Sequence, residues 1–290
     1  MTGPFGTGAT TTGRFGAGLR RPRLVATDLD GTLLRPDGTL STRTVDALAA
    51  CARAGVAVVF VTARPPRWLA DVAAHVGAHG VAICANGAAG VDVAAVRVVE
   101  DYGMAPELVG RLAALLRAAG GGPDHVHLAV ERAEGFAAER GFVSEHVVPP
   151  GSPRADRVED LLTASTLKLL LRSERFGAHG DTFARAVADA VGDLAEASDS
   201  GARGLGEIGP PGVTKASTLA RWAAGLGVPA EEVWAVGDAP NDLPMLAWAG
   251  TAFAVANAHP AVLAAADHQL PSNAEDGVAV LLAAAASAAG

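Results

Sequence analysis

Short Val- and Ala-rich runs recur along this chain, each followed by a longer stretch with helical spacing, and that alternation limits the folds open to it. The runs are residues 24–28 (LVATD), 56–62 (VAVVFVT), 81–84 (VAIC), 233–238 (VWAVGD) and 251–255 (TAFAV). Amphipathic stretches lie between them at 42–54, 66–77 and 215–226, the last closed by Gly227. Continuous apolar strands bridged by helices imply a parallel sheet covered on both faces, an α/β fold. In such sheets ligands bind beyond the carboxyl ends of the strands.

From about 91 to 208 the rhythm changes. A hairpin region (VDVAAVRVVEDYG), a helix over 105–119 and strand-like pieces with alternating polarity (HVHLAVER, EGFAAERG) are followed by TLKLLLR and a helix over 179–191. Alternation of that kind marks an open-faced antiparallel sheet. The expected organisation is a core of residues 23–90 and 209–290, with an α+β module, 91–208, inserted into it. Residues 1–22 are Gly- and Thr-rich without an apolar stretch of signal-peptide type, and are expected to be a disordered tail.

The bulk numbers exclude several classes. A chain of 290 residues can bury a large core, and its 50% hydrophobic content is inflated by alanine. No apolar run approaches the roughly 20 residues of a membrane span. A net charge of −8 with no basic stripe argues against nucleic-acid or anionic-membrane partners. Cys51 and Cys84 form neither a disulfide framework nor a zinc-site spacing, so a cytoplasmic setting is expected.

The polar residues at the strand ends carry the chemistry. "LVATDLDGTLL" (24–34) closes an apolar run with Asp28 and Asp30. On extended chain these share a face at about 6.6 Å, so either one is neutral or a cation belongs between them. Thr62, Asn86 and Asp238 end other strands, and Lys215 opens a helix. The chain holds 21 arginines and only two lysines, so a lysine departs from its habits. A cation in a helix's first turn also opposes the macrodipole. In "GDAPNDLPML" (237–246), Asn241 and Asp242 fall in the turn that starts the next helix, and Asp242 alone reads equally well as a plain helix cap. Together the set fits a hard, oxygen-bound dication such as Mg2+ beside a phosphoryl group.

These segments resemble the haloacid dehalogenase superfamily. "DLDGTLL", "VTAR", "GVTKAS" and "GDAPNDLPML" match its four motifs in order, and "CANGA", "LGEIGPPGVTK" and "PSNAEDGVA" are similar to its Cof-like branch. That resemblance covers residues 23–290, weakly across 91–205, and implies a Rossmann-like parallel-sheet core with a C2B-type α+β cap. It further implies Asp28 as nucleophile and Asp30 as general acid and base. The metal-side residues would be Asp28, Asp30 (through its backbone carbonyl), Asp238 and, around the ion, Asp242. Thr62, Lys215 and Asn241 would hold phosphate, with Arg64 and Asn86 on the substrate side. "FAVANAHP" departs from the family pattern with Ala256 where glycine is common, a change that touches no chemical group.

The expected activity is Mg2+-dependent hydrolysis of small phosphorylated metabolites, sugar phosphates foremost, by a monomer or homodimer. Rival readings are a phosphomutase or dedicated glycosyl-phosphate pathway phosphatase, and a non-catalytic phosphometabolite sensor. Glu131, Arg132 and Arg140 are cap candidates for reading the leaving group. Trp68, Trp222, Trp234 and Trp248 are expected in the core.

Overall fold

The computed structural model describes residues 19–70, 72, 80–173, 180–198 and 204–288. Most of the expected N-terminal tail, and the end of the helix expected over 66–77, lie outside them.

One sheet contains β1 (Leu24–Thr27), β2 (Ala57–Val61), β3 (Val81–Cys84), β4 (Ala89–Asp92), β5 (Arg97–Asp101), β12 (Val233–Gly237), β13 (Thr251–Val255) and β14 (His268–Leu270). Its order is β14-β13-β12-β1-β2-β3-β4-β5. From β14 to β3 all neighbours pair in parallel, while β4 and β5 add an antiparallel edge. Every residue of β1 and β12 is buried, as expected of central strands covered on both faces. Helices Thr42–Arg53 and Gly277–Ser287 pack together and onto β2 and β1 respectively, and Lys215–Gly225 packs on Leu243–Trp248. The chain runs outward from β1 through β2 to β3, then returns on the far side of β1 with β12. The topological switch point therefore lies between β1 and β12, and a ligand crevice is expected at their carboxyl ends.

The second sheet holds β6 (His127–Arg132), β7 (Gly135–Glu139), β8 (Arg154–Ala155), β9 (Lys168–Arg172), β10 (Glu196–Ser198) and β11 (Leu205–Gly209), in the order β10-β11-β9-β6-β7-β8. All pairs except β7–β8 are antiparallel. Its alternating residues Leu128, Val130, Leu169 and Leu171 join helices Pro106–Ala119 and Gly180–Val191 in one apolar cluster. A Rossmann-like core and an α+β cap are thus both present.

The boundary expected at residue 91 falls inside the larger sheet. The hairpin read at 91–103 is real, but its strands extend the core sheet, β4 pairing antiparallel with β3 and β5 with β4. Polar alternation, which suggested the cap, is equally what an exposed edge strand requires; β5 is largely exposed.

Candidate active site

β1 stops at Thr27, one residue before the first acid. Residues Leu29–Leu33 then wind into a tight turn closed by the Leu34 N–H donating to the Leu29 carbonyl at 2.8 Å. The expectation that Asp28 and Asp30 share a strand face therefore fails, because alternation holds only while the chain stays extended. Asp28 turns inward with its side chain 7% exposed, whereas the Asp30 side chain is 58% exposed and takes a bidentate contact from Arg64, at 2.7 and 2.6 Å. The turn needs Gly31 at φ +79°, where a Cβ would stand 2.3 Å from Asp238 Oδ2. Thr32 Oγ1 donates to Asp238 Oδ1 at 2.6 Å, and Asn257 Nδ2 fastens the turn by donating to the Gly31 carbonyl at 2.7 Å.

Lys215 is the first residue of its helix, whose start is fixed by reciprocal hydrogen bonds between Thr214 and Ser217. The cost of a cation there is offset by two carboxylates: Nζ donates to Asp28 Oδ1 at 2.7 Å and to Asp242 Oδ1 at 2.6 Å. All three side chains are buried. Burial disfavours the ammonium, yet Asp242 and Asp28 outweigh it and hold the Lys215 pKa above its ordinary value. Asp242 has a second duty. Its Oδ2 accepts from the N–H groups of Asp238 and Ala239, both at 3.0 Å, closing the turn after β12.

Asp28, Asp238 and Asp242 bring carboxylate oxygens within 4.8 Å of one another. All three belong to the acids expected on the metal side, and the Asp30 side chain, held by Arg64, lies outside this group. Burial pushes the Asp28 pKa well up, against the pull of Lys215. Burial likewise raises Asp238 to about 6, with Asp242 adding to it and the Thr32 hydrogen bond opposing it. Three carboxylates around one ammonium leave surplus negative charge in a poorly solvated place. An oxygen-only donor set of that charge fits a hard divalent cation.

Asp28, Asp30, Thr62, Arg64, Lys215 and Asn241 line one cavity of about 610 Å3. Thr62 is buried and its Oγ1 accepts from the Arg64 N–H at 3.0 Å. Asn86 adopts φ +55°, a backbone strain of the kind found at functional sites. Its Oδ1 accepts from Asn241 Nδ2 at 3.1 Å, while Asn241 Oδ1 is buried without a partner. The residues that the family resemblance singles out thus lie in one region, with Asn86 just behind the cavity wall.

The cap supplies residues that sequence reasoning missed. Lys168, on β9, donates to the Ala63 carbonyl at 2.7 Å and pairs with Glu207, on β11, at 3.1 Å. Glu207 in turn accepts from Asn86 Nδ2 at 3.2 Å. Lys168 is the chain's other lysine, so the rarity that singled out Lys215 would have found it too. Arg67 makes a bidentate pair with Glu131 at 3.0 and 2.7 Å, its guanidinium lying over the rings of Trp68 and Phe136. Trp68 is therefore a cavity residue, not the core residue expected, and it meets the ring of His146 from the cap at 4.7 Å. Of the three cap candidates Glu131 lines the cavity; Arg132 donates to the Leu161 carbonyl and Arg140 pairs with Asp156 at the surface. Cys84 is buried, which pushes its thiol pKa up and leaves it inert at neutral pH.

A family model described as haloacid dehalogenase-like hydrolase matches residues 25–282. Pyridoxal phosphate phosphatase YbhA of Escherichia coli K12 is 29% identical over 271 residues, covering 89% of this chain and 96% of that protein. Among solved structures, the phosphatase BT1666 from Bacteroides thetaiotaomicron aligns with a TM-score of 0.74 at 22% identity, over 94% of this chain and 98% of its own. The subclass IIB sugar phosphatase BT4131 aligns with a TM-score of 0.72 at 19% identity, over 89% and 97%.

Proposed function

The chain belongs to the haloacid dehalogenase-like hydrolase family, as a phosphatase of its Cof-like branch, and from that premise we propose that it hydrolyses phosphate monoesters of small metabolites with Mg2+, carrying the phosphoryl group on Asp28. The observation that supports this most is the buried contact of Lys215 with Asp28 and Asp242, set beside Asp238 at the switch point of the sheet. Asp28 and Asp238 would hold the metal by their side chains and Asp30 by its backbone carbonyl. Asp242, whose oxygens already serve Lys215 and two N–H groups, would shape the surroundings. When bound, the ion would neutralise the acids and polarise a phosphoryl oxygen.

The chain's own groups would then act in two stages. With Thr62, Lys215 and Asn241 orienting the phosphoryl oxygens, a carboxylate oxygen of Asp28 attacks phosphorus. The bond to the alcohol oxygen breaks, and Asp30 gives that oxygen its proton. To do so the Asp30 carboxyl would turn from Arg64 towards the leaving oxygen. In the second stage Asp30 takes a proton from water as the water attacks the aspartyl-phosphate. The bond between phosphorus and Asp28 breaks, and phosphate departs with both carboxyl groups restored. The polar bridges of Glu131 and Lys168 to the core would hold the cap down and keep bulk water out during the first stage.

Sugar phosphates and pyridoxal phosphate, the latter in the name of the E. coli relative, are both monoesters of small alcohols and fit this reaction. The test is phosphate release from a phosphometabolite panel, with Mg2+ and with EDTA. Metal-dependent release from some members is expected. No release from any member would contradict the reading and favour a non-catalytic sensor. Interconversion of hexose 1- and 6-phosphates without phosphate release would favour a mutase. We also propose the cytoplasm as its location; among the described residues no helix is long and apolar enough to cross a membrane.

A further inference from the structure

We propose that Glu207, a cap residue, positions Asn241 for the phosphoryl group by acting through Asn86, with Lys168 holding Glu207 in place. This rests on the phosphatase reading, in which Asn241 orients a phosphoryl oxygen. Glu207 lines the cavity, but a carboxylate and a phosphoryl oxygen are both negative acceptors, so its effect on phosphate is indirect.

Three side chains form a row with a direction. Asn86 Nδ2 donates to Glu207 Oε2 at 3.2 Å, and Asn86 Oδ1 accepts from Asn241 Nδ2 at 3.1 Å. The other Glu207 oxygen pairs with Lys168 Nζ at 3.1 Å. A carboxylate facing an ammonium can only accept. Asn86 must therefore turn its NH2 group to Glu207 and its carbonyl oxygen to Asn241, which answers with its own NH2 group. Asn241 gains nothing from this orientation on its other side, because its Oδ1 is buried without a partner. An unpaired buried acceptor is costly, so the orientation is imposed from the Asn86 side. It leaves Asn241 Nδ2 with a second hydrogen beyond the bond to Asn86, on a residue that lines the cavity.

The same ion pair bears on two core loops at once. Ala85, Asn86 and Gly87 all have positive φ, at +51°, +55° and +111°, a run that the surroundings must hold. The Asn86 N–H donates to the Thr62 carbonyl at 3.1 Å, and the Ala85 N–H to the Arg64 carbonyl at 2.9 Å. Lys168 Nζ donates to the Ala63 carbonyl between them at 2.7 Å. Lys168 thus touches the loop of Thr62, and Glu207 the turn of Asn86. Lys168, Glu207 and Asn86 are all buried. With the cap lifted, Asn86 would lose its carboxylate, and either end of its amide could face Asn241. The phosphate-binding geometry is complete only with the cap seated.

Orthophosphate has no leaving group, so its affinity separates positioning of the phosphate site from contact with the rest of a substrate. Titration calorimetry of orthophosphate into the full-length protein with Mg2+ reads it. In Glu207→Gln the one carbonyl oxygen goes to Lys168 and the NH2 group faces Asn86, which reverses the row. We expect the orthophosphate Kd to rise about fivefold or more. Asn86→Gly, which keeps the positive φ, should weaken binding similarly, and adding Glu207→Gln to it should change Kd by less than about twofold. Lys168→Met with Glu207→Met removes both charges together, so no buried lysine is left unpaired, and the same weakening is expected. An unchanged orthophosphate Kd with a raised KM for a larger ester would overturn the inference, making Glu207 a reader of the leaving group. Independent, additive effects of Glu207→Gln and Asn86→Gly would overturn it as well. Either result leaves the phosphatase reading standing. Neither orthophosphate binding nor phosphate release by the wild type would overturn that reading, and this inference with it.

Discussion

Lys215 Nζ stands 2.6 Å from Asp242 Oδ1, joining the first residue of one helix to the carboxylate that closes the turn after β12. Neither group has solvent to fall back on, and Asp28 shares the same ammonium. Structure and chemistry are therefore coupled at one atom.

Replacing that ammonium would leave two buried carboxylates unpaired. Lys215→Met is expected to destabilise the metal-free protein by about 3–5 kcal/mol, the cost of breaking a buried charge pair from one side. Urea unfolding in EDTA measures it. A loss below about 1 kcal/mol would mean that the carboxylates are solvated or neutral, against the buried contact described.

Gly31 controls where Asp238 can be. Gly31→Ala would place a methyl group 2.3 Å from Asp238 Oδ2 on a backbone at φ +79°. The expected result is a stability loss of about 1–3 kcal/mol and loss of Mg2+-dependent thermal stabilisation. A variant that keeps the full Mg2+ response would show that Asp238 does not hold the ion from its observed position.

The effect of Mg2+ on melting temperature should depend on pH in a stated direction. Asp238 has a raised pKa of about 6 in the metal-free fold against an ordinary 3.8, chiefly because it is buried. The folded form therefore binds a proton more tightly than the unfolded chain. The penalty for holding this carboxylate ionised is fully present above pH about 6 and is relieved as pH falls through about 6 towards 3.8. Bound Mg2+ relieves the same penalty in competition with the proton. The rise in melting temperature on adding Mg2+ should be largest near pH about 7.5 and shrink near pH about 5. A shift that is flat, or that grows in acid, would remove Asp238 from the metal site.

Much of this was legible in sequence, and the failures have physical causes. The runs at 24–28, 56–62, 81–84, 233–238 and 251–255 mark strands of the core sheet because central strands are apolar on both faces. β14, only His268–Leu270, went unread: its first two residues are exposed and it lies at the sheet's edge. Lys215 was found through its breach of the dipole preference, and the compensation, two carboxylates, lies remote in sequence. Asp30 reads as sharing the Asp28 face only if alternation is carried three residues beyond the end of the strand. Trp68 looked like core because an aromatic residue reads the same whether it faces the protein interior or a substrate pocket. Lys168 and Glu207 escaped because their partners, Ala63 and Asn86, belong to the core, and only the folded cap brings them together.

The measurement closest to the central claim is the covalent state of Asp28 during turnover. Acid-quenched protein from Mg2+-dependent hydrolysis of p-nitrophenyl phosphate should carry one phosphoryl group, labile to hydroxylamine as an acyl phosphate is, and Asp28→Asn should carry none and release no p-nitrophenol. Turnover by Asp28→Asn at a near-wild-type rate would contradict the account.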